Sequence, residues 1–290
     1  MTLAEPRDEV VAEAFVHIGR PRFGTGGDEA YVLLHRTLDA SGTPNPVPGA
    51  RVVILREEGG EVVLPESPNT LGCAPGIPAS EGLGTCYGPI VDRGLRHGEY
   101  LRLEIELPDG GVLTSATTVP GAIDVVPDVP ASLGCRLDPS QTLEVTWNRA
   151  EGAWAYVAET SIRGLEEYFD GTVDVEEPLN LLGLALSVED TTIVFPSEFG
   201  IFDRADLERE VSVLLQEGLP DGTGADVVVA AVDRNYVNWV RGGNFNPSGQ
   251  VRIPSVQGDG TGFFGSASTD ALTIQVLTEA GGGFPACEGG

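Results

Sequence analysis

Short stretches of period two dominate the pattern of hydrophobic and polar positions. The clearest is Tyr100–Leu107, where Leu101, Leu103, Ile105 and Leu107 alternate with Arg102, Glu104 and Glu106. Successive side chains of a strand point to opposite faces, so this run predicts a strand with one face buried. Further β-rich runs occupy 8–18, 29–37, Arg51–Arg56 and 61–64. Between them lie turn-forming segments: GTGGDE (24–29), ASGTPNPVPGA (40–50) and the hairpin-like EEGG (57–60). PDGG at 108–111 turns the chain into VLTSATTV, and a first strand-rich body ends near Pro120. VVPDVPASLG (125–134) reads as a linker with the start of a second domain.

The second half continues with strands at TLEVTW (142–147), WAYVAETS (154–161), TTIVF (191–195) and ADVVVAAVD (225–233). GFFGSA and DALTIQVLT supply the last strands, and RNYVNWVRGG predicts one or two helical turns ended by Gly242. Residues 163–190 follow no single period. Residues 203–217 admit two readings. In one, Asp203 caps a helix with Leu207, Val211, Leu214 and Leu215 on one face; in the other, Val211, Val213 and Leu215 form a strand. Turn residues every ten or so positions point to an all-β chain of two sandwich domains, 1–122 and 123–290, with one short helix.

Composition narrows the chemistry. The chain has 290 residues and 41% hydrophobic content, enough for a real core. Its 39 Gly and 21 Pro reflect the many turns. All 17 basic residues are Arg, which excludes Schiff-base lysine chemistry and the lysine-dependent phosphate loop. Asp and Glu number 44, for a net charge of −27. Such a surface repels phosphate backbones, so no nucleic-acid partner is expected. The acidity keeps an exported protein dissolved, or suits a saline habitat; a high-GC genome would also replace Lys by Arg.

Four Cys without CxxC spacing read as two disulfides, Cys73 with Cys86 and Cys135 with Cys287, and hence as an oxidising, extracytoplasmic compartment. The residues after Met1 (TLAEPRDEV) have neither a basic nor an apolar signal region. Either an export signal has been removed ahead of Met1 or the true start lies upstream. A lipid-attachment cysteine there would make the protein an anchored lipoprotein. No stretch approaches 18 apolar residues, so no transmembrane span is expected.

Catalytic motifs are sparse. His17, His35 and His97 form no HExxH pair, and no GxSxG elbow occurs. Gly260-Thr261-Gly262-Phe263-Phe264-Gly265 satisfies GxGxxG, but a strand-like segment follows it where nucleotide binding needs a helix. Its glycines read as a bend or bulge at the entry to an edge strand. Asp221-Gly222-Thr223-Gly224-Ala225-Asp226 and Asp109-Gly110 are oxygen-rich turns that suit Ca²⁺, though turn chemistry also explains them; no other cofactor and no further metal site is expected. Glu166/Glu167 and Glu176/Glu177 are carboxylate pairs of the kind glycoside hydrolysis uses, and chance supplies such pairs in so acidic a chain. Tyr236, Trp239, Phe245, Phe263 and Phe264 cluster in the last third, either as core or as a surface for a partner or glycan.

Two stretches carry family resemblances. Val47–Ile54 (VPGARVVI) followed by Gly98–Leu103 (GEYLRL) resembles the frame of carboxypeptidase-regulatory-like sandwiches. LEVTW (143–147) and GAWAYV (152–157) resemble the B and C strands of an immunoglobulin-like fibronectin type III domain, and VVVAAVDRNYVNWV its F strand with an added helix. In order, EVVAEAFV, VPGARVVI, YLRLEIELPDGGVLTSATTVPGA, AVDRNYVNWVRGGNFNP and GDGTGFFGSA resemble the domain-of-unknown-function 4249 family of bacterial exported lipoproteins. The chain departs from that pattern in lacking the lipoprotein signal and in a long irregular insertion at 163–200. The resemblance implies a strand at 210–216 and a non-enzymatic envelope protein at the periplasm or outer-membrane surface. Such a protein binds a partner protein or glycan, as an accessory to an outer-membrane receptor. A structural subunit pairing edge strands, or a carboxylate-dependent glycan or peptide hydrolase, are the alternatives.

Overall fold

The computed structural model of the protein describes residues 8–19, 28–37, 45–68, 72–73, 84–91, 94–128, 134–185, 187–199, 207–241, 253–278 and 283–287. The fold is all-β, and the chain forms two compact units. Unit 1 gathers Met1–Ile18, Gly26–Pro120 and Val232–Ala267; unit 2 gathers Gly19–Thr25, Gly121–Ala231 and Ser268–Gly290. The segment 232–267, which the sequence reading groups with the second domain, thus lies in unit 1.

Along the chain, unit 1 begins with β1 (Val10–Gly19), β2 (Glu29–Arg36), β3 (Asn45–Pro46), β4 (Arg51–Arg56) and β5 (Glu61–Leu64). It continues with β6 (Glu66–Ser67), β7 (Thr85–Val91), β8 (Tyr100–Glu106) and β9 (Val112–Thr118). Unit 2 holds β10 (Val125–Val126), β11 (Cys135–Leu137), β12 (Leu143–Trp147), β13 (Ala155–Arg163) and α1 (Leu165–Phe169). β14 (Leu179–Ala185), β15 (Thr192–Phe195), α2 (Arg209–Glu217) and β16 (Gly224–Val232) follow. The chain re-enters unit 1 with α3 (Arg234–Arg241), β17 (Gln257–Gly258) and β18 (Gly260–Val276), which belongs to unit 2 from Ser268 onward.

Unit 1 is a sandwich. One sheet runs β18–β1–β2–β7–β6 with β3 beside β2; the other runs β17–β9–β8–β4–β5. The alternation in β8 is realised: Leu101, Leu103 and Ile105 are buried, Arg102 and Glu106 exposed. Antiparallel register sets Leu103 opposite Ile54 and Ile105 opposite Val52. Ala12, Ala14, Val16, Val32 and Leu34 face them from the first sheet, with Tyr87 and Phe264 fully buried between. Each of the buried valines, leucines and isoleucines contributes about 1.5–3 kcal/mol on burial. The Tyr87 hydroxyl stays satisfied, donating to the Val47 carbonyl (2.8 Å) and accepting from the Ala50 amide (2.9 Å).

In unit 2 one sheet runs β14–β13–β16–β18, with β11 parallel to β18, and a smaller one runs β10–β12–β15. Trp147 meets Tyr156 edge-on at 5.5 Å, and Phe195 meets Phe199 at 6.0 Å, in the core between them. Segment 209–217 is a helix, not the strand that the family resemblance implies. Val211 and Leu215, four residues apart, are buried while Val213 is exposed. A strand would have put all three on one face; only the 3.6-residue period separates them. With α1 inside the aperiodic region, the protein has three helices among its described residues, where the sequence predicts one.

Both disulfides form as expected, Cys73–Cys86 and Cys135–Cys287. The second joins two cysteines of unit 2 that are 152 residues apart in the chain. Beside it, the Arg136 amide donates to the Pro285 carbonyl (2.7 Å) and the Cys287 amide to the Arg136 carbonyl (2.8 Å). Among the described residues, no helix is long and apolar enough to cross a membrane.

Chain entropy predicts that opening the longer loop costs more. The pair Cys135→Ser and Cys287→Ser is expected to destabilise unit 2 by about 5 kcal/mol, against about 3 kcal/mol in unit 1 for Cys73→Ser and Cys86→Ser. Guanidinium melts of the two double variants measure both; equal losses, or a larger one for Cys73–Cys86, contradict the loop-length account.

Candidate functional site

The first sheet of unit 1 buries apolar groups on both sides. On β1, Ala12, Ala14 and Val16 face the core, so Phe15 and His17 point the other way. The antiparallel register with β2 sets Glu13 opposite Leu33, Phe15 opposite Tyr31 and His17 opposite Glu29. Leu33 in turn faces Cys86 across β2 and β7, and packs with the Cys73–Cys86 disulfide and Tyr31. A row of disulfide, leucine and aromatic rings therefore lines the outer face.

Helix α3 completes that face. Asp233 precedes it and acts as its cap, accepting a hydrogen bond from the Tyr236 amide at 2.9 Å. One turn of helix brings Tyr236 and Trp239 to the same side. The Tyr236 ring lies edge-on to Phe15 at 5.2 Å, and Trp239 stacks on Phe263 of β18 at 4.9 Å. Phe15 also meets His17 (4.1 Å), Tyr31 (6.3 Å) and Phe263 (6.4 Å). Phe15 and Phe263 are 6% and 9% exposed and form a floor; His17, Tyr31, Tyr236 and Trp239 are half-buried around it.

The glycines of the GxGxxG stretch make this packing feasible. Gly262 has φ +132, and a Cβ there would fall on the Ala12 carbonyl of β1. A Cβ on Gly265 would lie 3.3 Å from Tyr236 and 3.4 Å from the Phe15 ring. The motif thus serves close approach of strands and rings, and β18 pairs with β16 and β11 in unit 2.

Of the aromatic residues singled out from sequence, the structure brings Tyr236, Trp239 and Phe263 together. Phe264 is a correction: it is the strand neighbour of Phe263, faces the opposite side and is fully buried in the core. Phe245 lies outside the described residues. Sequence reasoning missed Phe15, His17 and Tyr31 as site residues. No local signal marks them, because Phe15 and His17 meet Tyr31 and the helix rings only through strand pairing and tertiary packing.

A polar network anchors the helix. Asp233 is 5% exposed. One carboxylate oxygen accepts from Thr117 Oγ1 at 2.6 Å; the other accepts from the amides of Tyr236 and Ser266, the latter at 3.2 Å. Ser266 Oγ lies 2.7 Å from Thr117 Oγ1 and donates to the Thr118 carbonyl at 3.2 Å. The Asn235 side chain donates to the carbonyls of Ala116 (2.7 Å) and Phe264 (2.9 Å). Burial holds the Asp233 carboxyl above its ordinary value, and these donors offset only part of the shift. Burial also raises Glu29 on the aromatic face.

Several of the remaining candidates have structural partners. Asp221 accepts from the Thr278 amide (2.7 Å) and hydroxyl (3.2 Å), while Asp226 pairs with Arg163 and accepts from Thr273 Oγ1 (2.6 Å). Asp109 accepts from the Gly111 amide at 3.1 Å, as its turn requires. Glu177 accepts from the Gly164 amide (2.9 Å) and the Glu166 amide (3.3 Å) at the start of α1. His35 Nδ1 lies 2.9 Å from the Arg36 carbonyl, and His97 is exposed. Among the described residues, no group of three or more His, Cys, Asp or Glu is placed to hold a metal ion.

The Asp233 network yields a pH test. Its folded-state pKa lies above the unfolded value near 3.8. The stability it contributes is therefore present below that value and is lost as pH rises through the raised folded pKa. Asp233→Asn keeps every bond, because its amide donates to Thr117 Oγ1, which then donates to Ser266. The stability difference between wild type and Asp233→Asn is expected to shift in favour of the variant as pH rises through that window, in paired urea melts. Asp233→Ala is expected to cost about 2–4 kcal/mol. A difference that moves the other way with pH contradicts this reading.

A comparison with protein-family models finds no match for this chain, and a search of curated proteins finds none.

Proposed function

We propose that this chain is an exported, non-catalytic binding protein of the cell envelope that holds a neutral glycan against the aromatic face of unit 1. The observation that carries the reading is the rim of Tyr31, Tyr236, Trp239 and His17 around a floor of Phe15 and Phe263. Rings with an apolar body and a polar tip stack on the C–H faces of sugars while bonding their hydroxyls. Glu13 and Glu29 lie on the same face of β1 and β2, where carboxylates accept hydrogen bonds from hydroxyls. With a net charge of −27, anionic glycans are disfavoured and neutral ones are not.

The two disulfides support an extracytoplasmic location. The resemblance to the domain-of-unknown-function 4249 lipoproteins supports a place beside an outer-membrane receptor. A binding role fits the polar groups of unit 1, because the Asp233 carboxylate is committed to holding α3.

Calorimetric titration with neutral hexasaccharides of glucose and mannose tests the reading. At least one is expected to bind, and Trp239→Ala or Tyr236→Ala is expected to weaken it about tenfold or more. Trp154→Ala, at an exposed ring in unit 2, is expected to leave affinity unchanged. Absence of binding tighter than about 1 mM across the panel, or equal loss in the Trp154 variant, contradicts the assignment.

A further inference from the structure

We propose that the outer edge of β14, in unit 2, accepts an extended segment of another protein whose apolar core is flanked by basic residues. This site is separate from the aromatic face and does not rest on the glycan reading. β14 closes one end of its sheet. It pairs along its whole length with β13, from Leu179 opposite Ile162 to Ala185 opposite Tyr156. Among the described residues, no strand pairs with its other side. An edge of this kind presents a row of backbone donors and acceptors, and proteins normally guard it with charge, proline or shortness.

Among the described residues, the other sheet ends are short. β5 is four residues long and opens on exposed Glu61. β6, β10 and β17 are two residues each, and β6 sits between Pro65 and Pro68. β15 has four residues and runs into Pro196. β14 is longer, with seven residues, Leu-Asn-Leu-Leu-Gly-Leu-Ala; Pro178 precedes it, and the strand itself holds neither charge nor proline. Leu179 and Leu181 are buried in the unit 2 core, whereas Asn180 is exposed and Leu182 partly so.

Charge decides the occupant. Asp174 and Glu176 precede the strand and Asp190 follows it; beside them Glu177 receives the Gly164 and Glu166 amides, and Glu189 pairs with Arg149 at 2.7 Å. A second copy pairing antiparallel would bring the same acidic flanks and another net charge of −27. Repulsion between copies therefore protects the edge from self-pairing and leaves it to a strand of opposite charge. Added strands of this type gain affinity from main-chain hydrogen bonds and specificity from what lies beside them, here the acidic ends.

The probe is a synthetic peptide of alternating valine and threonine with two arginines at each end. Amide hydrogen exchange of the full chain is expected to slow at alternate positions within 179–185 when it is added. Slowing is expected to vanish with the same peptide N-methylated on its backbone, and with a glutamate-flanked version. It is expected to weaken at least tenfold between about 50 and about 500 mM salt. Leu182→Arg is expected to weaken binding to a similar degree; the N-methylated peptide carries the test should that variant misfold. No slowing at 179–185 with the arginine-flanked peptide, or equal slowing with the N-methylated one, overturns the proposal. Self-association through 179–185 that strengthens with salt overturns it too, and assigns the edge to a second copy.

Discussion

Adjacent residues of a strand must face opposite sides, and in the first sheet of unit 1 both sides bury apolar groups. That constraint organises the protein. On β18, Phe264 fills the sandwich core while Phe263 beside it floors the aromatic face. On β1, Val16 faces the core and its neighbours Phe15 and His17 face outward. One set of strands thereby builds a stable body and a ring-lined surface, and neither can shift register without destroying the other.

The outer face requires a lid of matching chemistry, and α3 supplies it. A helix of eight residues is too short to persist unaided. Its stability is borrowed from Asp233, which is hydrogen-bonded to β9 through Thr117 and to β18 through Ser266. The same network holds residues of three distant segments in one cluster, and explains why 232–267 belongs with the N-terminal body. A buried carboxylate is a costly anchor, which the raised pKa of Asp233 records. It is tolerable because both oxygens are met by donors and because the cap positions Tyr236 and Trp239.

Much of the fold was legible because period-two alternation is local. The bounds of β4, β5 and β8 follow directly from Arg51–Arg56, Glu61–Leu64 and Tyr100–Leu107. The disulfide pairing followed from spacing and loop composition. What was not legible depended on distant contacts. β14 looks aperiodic because one of its sides packs against unit 2 while Gly183 leaves room for Ile193. α2 was ambiguous because Val211, Val213 and Leu215 fit both periods, and only the core decided between them. Tyr236, Trp239 and Phe263 could be singled out by proximity along the chain. Phe15 and Tyr31 could not, since they are joined to the others only through strand pairing.

In the proposed glycan-binding reading, the acidic surface repels anions and the aromatic face stacks on neutral rings. The most direct measurement is the set of nuclear Overhauser effects between a bound neutral hexasaccharide and the aromatic side chains. The account predicts cross-peaks from sugar C–H protons to the rings of Trp239, Tyr236 and Tyr31. Cross-peaks confined to Trp154 or Tyr168 of unit 2, or none to any ring of unit 1, would contradict it.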